Sequence, residues 1–581
     1  MIFALPYIRN NLILLSSHRP SRKDNGRQLR FTTPSYADTL RVHESIQTYA
    51  FPGRRNLGYL FAFESKRGDV MGSITVDTTG KKQIMLPPTK KRFDPIAEYY
   101  RQFGSMSPSP WTCYTQLNAQ YQLCLSYPSV LVGPSSLPEG NPDSARVIRQ
   151  CAAFRSEQRL PAMTWSNGID GASLWRASQP KVGLQGNRNA NDEIFLKHVM
   201  EAAASANALR TEHPLVLAPY VLKQLTGVAD QKTFSLDGTN CLLKILDLRP
   251  RASAIANRTS GYGYENTTHY PGTTIQFCNI GNIHAVRDSY QKVSNLCISP
   301  TTNDVQWMSL VEDTKWLSHL RLILAASWEA AFWIHIHRLP VFVHCSHGWD
   351  RTSQVTALAQ LLLDPYFRTL EGFTTLIEKD FMSFGHPFHT RCSHGEGRGE
   401  NPSSSDDGQI SPIFIQFLDA VYQIVNQYPE AFEFNTKYLL VLSENVYSCR
   451  FGTLLCDTER ERELIAGIRQ RTHSIWDYLE GRADVKNLSF QQGGILLMPL
   501  PSLLRNVSLW VDRHCMYGPK LTLKLLDIVR PLDQFTTDQQ GKFFCEKDAD
   551  KENGRTNNTD TETFMTDNLD VDTSEGNPAL A

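Results

Sequence analysis

One thirteen-residue run constrains this chain more than any other: Val341-Phe-Val-His-Cys-Ser-His-Gly-Trp-Asp-Arg-Thr-Ser353. It opens on β-branched and aromatic residues, the composition of a buried strand. Downstream, Val355, Leu358, Ala359 and Leu362 recur at i, i+3, i+4 and i+7, the spacing of one helix face, and Pro365 ends the pattern. Cys345 and Arg351 therefore lie six positions apart in a loop between a strand end and a helix start. The first backbone N–H groups of a helix lack intrahelical partners and, with the helix dipole, converge on an anion placed there.

A cysteine in such a loop ionises more readily, because the same N–H groups stabilise its thiolate. The thiolate can attack phosphorus to form a phosphocysteine, which water then hydrolyses. Arg351 offers a planar, permanently charged fork for two phosphoryl oxygens. Asp350 can protonate a leaving alkoxide and then deprotonate the attacking water. Nucleophile, acid and clamp fall within seven residues. The chain also supplies a control. Cys392-Ser-His-Gly-Glu-Gly-Arg398 repeats the spacing, but it follows a polar, proline-containing stretch, and Gly399 to Asp407 cannot start an apolar helix. It is read as a coincidence of spacing.

The whole chain, 581 residues, is long enough for two to four domains, and 41% hydrophobic residues rule out a wholly disordered polymer. Lysine plus arginine equals aspartate plus glutamate, 59 each, which excludes a basic nucleic-acid coat. The segment from Glu546 onward holds ten acidic residues against three basic, a net charge of −7 that leaves +7 on residues 1–545. That mildly basic remainder suits an anionic substrate or surface. Twelve cysteines, with no zinc-ribbon spacing, are too few for a disulfide scaffold. The apolar start is interrupted at Arg9, Asn10 and Asn11, so no signal peptide is expected. Leu322 to Ile336 contains Glu329 and His335 and is too short to span a bilayer.

Along the chain, a helix is expected over Tyr36 to Tyr49, and a strand over Tyr59 to Phe63. From Pro88 to Ile475 apolar runs alternate with amphipathic segments, the pattern of an α/β domain, with strands at Leu242 to Leu248 and Val341 to His344. Trp316, Leu320, Leu324, Ala331 and Ile334 fit the core face of one helix. Leu209 to Thr239 looks like a surface insertion, Gly397 to Gln409 like a polar loop, and the tail after Lys547 has almost nothing to bury. His386, His389, Cys392 and His394 crowd together but match no regular metal-finger spacing.

His344-Cys-Ser-His-Gly-Trp-Asp-Arg-Thr352 resembles the signature of the myotubularin phosphoinositide phosphatases, usually His-Cys-Ser-Asp-Gly-Trp-Asp-Arg-Thr. Other blocks resemble the family in the same order: Ser178 to Gly183, Asp247 to Pro250, Ala254 to Asn257, Gly261 to Glu265, Asn279 to Arg287, Ser383 to His386, Ser411 to Phe417, Ala431 to Asn435 and Tyr447 to Gly452. The resemblance implies an α/β cysteine-phosphatase (Cys-x5-Arg) fold, a mixed sheet flanked by helices, preceded by a pleckstrin-like GRAM domain. Only Gln28 to Pro52 matches that first domain, so residues 1–55 are expected to be a partial remnant. Residues 56–530 are then the phosphatase domain and 546–581 an acidic, disordered tail.

The resemblance further implies hydrolysis of the 3-phosphate of phosphatidylinositol 3-phosphate, with the 3,5-bisphosphate as a second candidate substrate and no metal or other cofactor. Cys345 would be nucleophile, Asp350 general acid and Arg351 the clamp. Ser346, His347, Gly348 and Trp349 would line the loop, Asn257, Asn282 and Ile283 the site, and Arg391 would reach a second phosphate. Asp247 and Arg249 would orient rather than react. Peripheral contact with the cytosolic face of endosomal membranes, and pairing with itself or other myotubularins, are implied likewise; no nucleic acid is expected. Two positions depart from the pattern. His347 replaces the usual loop aspartate, and Pro387 stands where family members that bind a 5-phosphate commonly carry arginine. The alternative is a catalytically silent relative that binds phosphoinositides or an active partner. Retention of Cys345, Asp350 and Arg351 favours the enzyme.

Overall fold

The computed structural model describes residues 93–208, 242–299, 304–394 and 407–516 continuously, with short elements between 7 and 83 and at 535–537 and 543–545. The expected insertion at Leu209 to Thr239 and the tail after Lys547 lie outside the described residues, as does most of the polar loop before Asp407.

The centre is a five-stranded mixed sheet. Its strands are β1 (Ala162–Ser166), β2 (Ser173–Ser178), β3 (Leu243–Asp247), β4 (Thr273–Phe277) and β5 (Val341–Cys345), in the order β4-β3-β5-β2-β1. Only the β1–β2 pair is antiparallel. Both expected strands are present, and every residue of β5 is buried. An apolar run without polar alternation marks a strand covered on both faces. Here Val341 and Val343 face one core with Leu174 and Leu246, while Phe342 faces the other with Trp175, Leu243 and Ile245.

The helices that bury residues in the first core include α1 (Ile283–Ile298), α2 (Trp316–Ile336), α3 (Arg351–Leu363) and α4 (Ile413–Gln427). The five core positions predicted on α2 are all buried. Among the described residues no helix is long and apolar enough to cross a membrane.

Near the N-terminus, three antiparallel strands, Tyr7–Arg9, Leu12–Ser16 and Gln28–Thr32, precede the expected helix, which spans Tyr36–Ala50. The two earlier strands were not foreseen from the sequence. The strand expected over Tyr59 to Phe63 is a short helix instead, Phe61–Glu64. Phe63 N–H bonds back to Leu60, and Leu60 and Ala62 bury against Leu455, Cys456, Ala466 and Ile468. The apolar residues there are claimed by a side-chain cluster.

Candidate active site

Cys345 is the last residue of β5, and Arg351 opens α3. Because β5 has parallel partners on both sides, the carboxyl ends of β2, β3 and β5 gather at one edge. The connections leaving them surround the Cys345 loop, the usual place for a ligand in an open α/β sheet.

The loop turns at Gly348, with φ +78°, where a Cβ would stand 2.3 Å from the Ala177 carbonyl oxygen. Only glycine fits this approach. Gly348 N–H and Thr352 Oγ1 each donate to Cys345 Sγ at 3.3 Å. Burial alone would raise the thiol pKa, but Arg351 and these two donors outweigh it, and the pKa falls below its ordinary value. Arg351 is anchored by the Ile280 carbonyl at 3.1 Å and Ser346 Oγ at 3.4 Å.

Two buried arginines hold the loop from behind. Arg159 and Arg176 both donate to the Gly348 carbonyl, at 3.0 and 2.9 Å. In a trans peptide this turns the Trp349 N–H the opposite way. Arg176 also bonds Ser353 Oγ at 2.8 Å and pairs with buried Asp380. Neither arginine was singled out from the sequence. For Arg176 the available signal was a charge inside an apolar strand, Leu174-Trp-Arg-Ala177, which must find partners.

The other expected site residues are placed as follows. Gln179 N–H bonds the Ser346 carbonyl at 3.1 Å, and Gln179 Oε1 accepts from Asn257 Nδ2 at 2.9 Å and from Arg249. Asn257 thus joins the loop through Gln179, while Arg249 forks onto Asp247 below it at 2.8 and 2.7 Å. Asn282 is exposed and caps α1, accepting from His284 and Ala285 N–H at 3.2 and 3.1 Å. The side chain expected to line the site is committed to a helix end, and the nearby Ile280 carbonyl is what touches Arg351. The Ile283 carbonyl receives Ser411 Oγ at 2.8 Å. His347 stacks on Trp349, centroids 4.7 Å apart, and its burial pulls the imidazole pKa below the ordinary value.

Asp350 sits in a cage. Arg391 Nε and Nη2 reach its two oxygens at 3.1 and 2.8 Å, and His386 Nδ1 lies 3.2 Å from Oδ1. Burial opposes ionisation, but Arg391 and His386 prevail and hold the carboxyl well below the usual range. Arg391, expected to reach a second phosphate, spends its remaining edge on Gln409. Cys392 is buried on the short helix Phe388–Cys392, where burial, Cys449 and Asp457 push its thiol far up, the reverse of Cys345. His394 bonds the Val446 carbonyl at 2.6 Å.

A low-pKa thiol in a glycine-turned loop, at the carboxyl edge of parallel strands and six residues before an arginine, defines a cysteine-phosphatase type of site. Residues 74–463 match the model of the myotubularin-like phosphatase domain. The chain is 34% identical over 498 residues to phosphatidylinositol-3,5-bisphosphate 3-phosphatase MTMR2 of Mus musculus and 33% to that of Pongo abelii, covering 85% of this chain and 67% of each relative. Myotubularin of Xenopus laevis is 32% identical over 500 residues, 85% of this chain and 71% of the relative. The chain belongs to the myotubularin family.

Proposed function

We propose that the chain is a metal-independent phosphoinositide 3-phosphatase that removes the 3-phosphate of phosphatidylinositol 3-phosphate through a phosphocysteine on Cys345. The observation that carries this reading is the Cys345 thiol, pulled below its ordinary pKa beneath Arg351 and two hydrogen-bond donors. Arg351 takes the phosphoryl oxygens and follows their charge into the transition state. Asp350 serves the leaving oxygen. An incoming phosphate places negative charge beside its carboxylate and drives it toward protonation, and the hydrolytic half-reaction then needs it ionised again.

The mouse and orangutan relatives are named for the 3,5-bisphosphate. For this chain we favour the monophosphate, because Pro387 has no charge and Arg391 is bound to Asp350 and Gln409. Such a lipid would be met at a membrane surface, and a cytosolic, endosomal face fits it. A second reading, a silent phosphoinositide binder, draws on the tightly ion-paired Asp350. The test is phosphate release by the purified full chain from short-chain, water-soluble phosphatidylinositol 3-phosphate and 3,5-bisphosphate. Release from the monophosphate at least equal to that from the bisphosphate is expected, abolished in Cys345→Ser and retained in Cys392→Ser. Binding without release in the parent would select the silent binder.

A further inference from the structure

We infer that His386 is a positioning residue that aims Asp350 at the leaving oxygen, an assignment resting on the phosphatase reading above. Asp350 occupies the N-cap position of α3, where an aspartate ordinarily folds its carboxylate back onto the first free amides of the helix. Here it makes no side-chain cap bond. Its carboxylate is held instead by Arg391 and His386. With φ −104° and ψ −88° Asp350 also lacks the extended backbone of an ordinary N-cap, so its carboxylate is placed by these side-chain partners and not by the helix end.

His386 has the geometry for that tether. Its Nδ1 lies 2.9 Å from the Trp349 carbonyl and 3.2 Å from Asp350 Oδ1. A carbonyl oxygen only accepts, so Nδ1 carries the hydrogen and presents it to both oxygens. One N–H therefore ties the acid to the loop peptide just before it. The ring is fully buried and fixed edge-on between Phe381 and Phe388, with centroids 5.5 and 4.8 Å away. Its backbone is fixed as well. His386 N–H bonds the Phe381 carbonyl at 2.8 Å, and Gly385 before it has φ +70°, with room for no Cβ beside the Ser126 carbonyl. The Trp349 carbonyl keeps a second donor, Ser353 Oγ at 3.0 Å, so losing the imidazole does not orphan it.

The test compares two substrates of the full-length protein: soluble phosphatidylinositol 3-phosphate, whose alkoxide leaving group needs a proton, and an activated aryl phosphate, whose leaving group does not. His386→Phe keeps the aromatic packing and removes the donor. On the lipid its kcat/KM, which covers the steps through release of the leaving group, should fall roughly ten- to a hundredfold, part of what general acid catalysis contributes. On the aryl phosphate kcat/KM should stay within about threefold of the parent, because that step needs no proton and the shared hydrolysis of the phosphocysteine does not enter it. His386→Asn places an amide N–H at the Nδ1 position and should recover most of the lost lipid turnover. His386→Gln places it at the Nε2 position and should not. Thermal midpoints accompany each variant, and if His386→Phe fails to fold, the Asn–Gln pair makes the same comparison. Equal losses on both substrates, or equal turnover by Asn and Gln, would overturn the assignment. A parent inert toward the lipid defeats the phosphatase reading, and this assignment falls with it.

Discussion

Cys345 and Cys392 are both buried and both stand six residues before an arginine, yet their thiols shift in opposite directions. What separates them is local: Cys345 has a cation and two donors within its own loop, whereas Cys392 has a second thiol and a carboxylate for neighbours. His347 is the residue whose chemistry the sequence leaves most open. An imidazole at its ordinary pKa of 6.5 would be poised near neutrality, but burial lowers this one, so its charge is present only on the acid side of that value. Raising pH through the lowered pKa removes a positive charge beside the phosphate and weakens binding. The ratio of parent to His347→Asp KM for phosphatidylinositol 3-phosphate should therefore rise as pH climbs through that lowered pKa, on the acid side of 6.5, while the aspartate variant regains turnover. The ratio cancels the substrate's own ionisation. A flat ratio would show that His347 does not sense the bound phosphate.

At the scale of elements, the strand–loop–helix unit depends on Gly348. Gly348→Ala must reshape a turn at φ +78° and displace the Ala177 carbonyl, which costs about 1–3 kcal/mol of stability. Turnover should fall far more, by roughly a hundredfold or beyond, because the loop amides lose their aim. Paired melting and rate measurements check this, and a variant with near-parent turnover would contradict it. β5, α3 and α2 were legible in the sequence because their apolar residues follow one period over whole elements. Cys345, Asp350 and Arg351 were legible as a candidate site because they sit in one short run. The supports were not. Arg159, Arg176 and His386 come from segments up to 227 positions apart in the chain, and nothing local announces that they meet at two consecutive peptides of the loop. The Tyr59 to Phe63 run failed for the same reason: its burial is set by residues near position 455.

Across the molecule, a buried charge chain links His344, the residue before Cys345, to distant segments. His344 Nε2 contacts Glu265 Oε2 at 2.9 Å, Glu265 meets Arg155 at 2.5 Å, and Arg155 meets Asp192 at 2.6 Å, all four side chains fully buried. Burial alone would raise the Glu265 pKa and lower that of His344, but their mutual attraction reverses both. Glu265 therefore contributes stability above its ordinary 4.5, lost as pH falls through its depressed value. His344 contributes below its ordinary 6.5, lost as pH rises through its raised value. Glu265→Gln should cost about 3–5 kcal/mol, most between those two limits and less toward alkaline pH. Denaturant melts across pH check it, and a constant difference would contradict the pairing. The proposed chemistry requires that Cys345 become covalently phosphorylated. Rapid acid quench of the parent turning over phosphatidylinositol 3-phosphate, followed by peptide mass spectrometry, tests it directly. A phosphoryl group is expected on the peptide carrying Cys345 and absent in Cys345→Ser; phosphate release with no label there, or label on the Cys392 peptide, would overturn the phosphocysteine route.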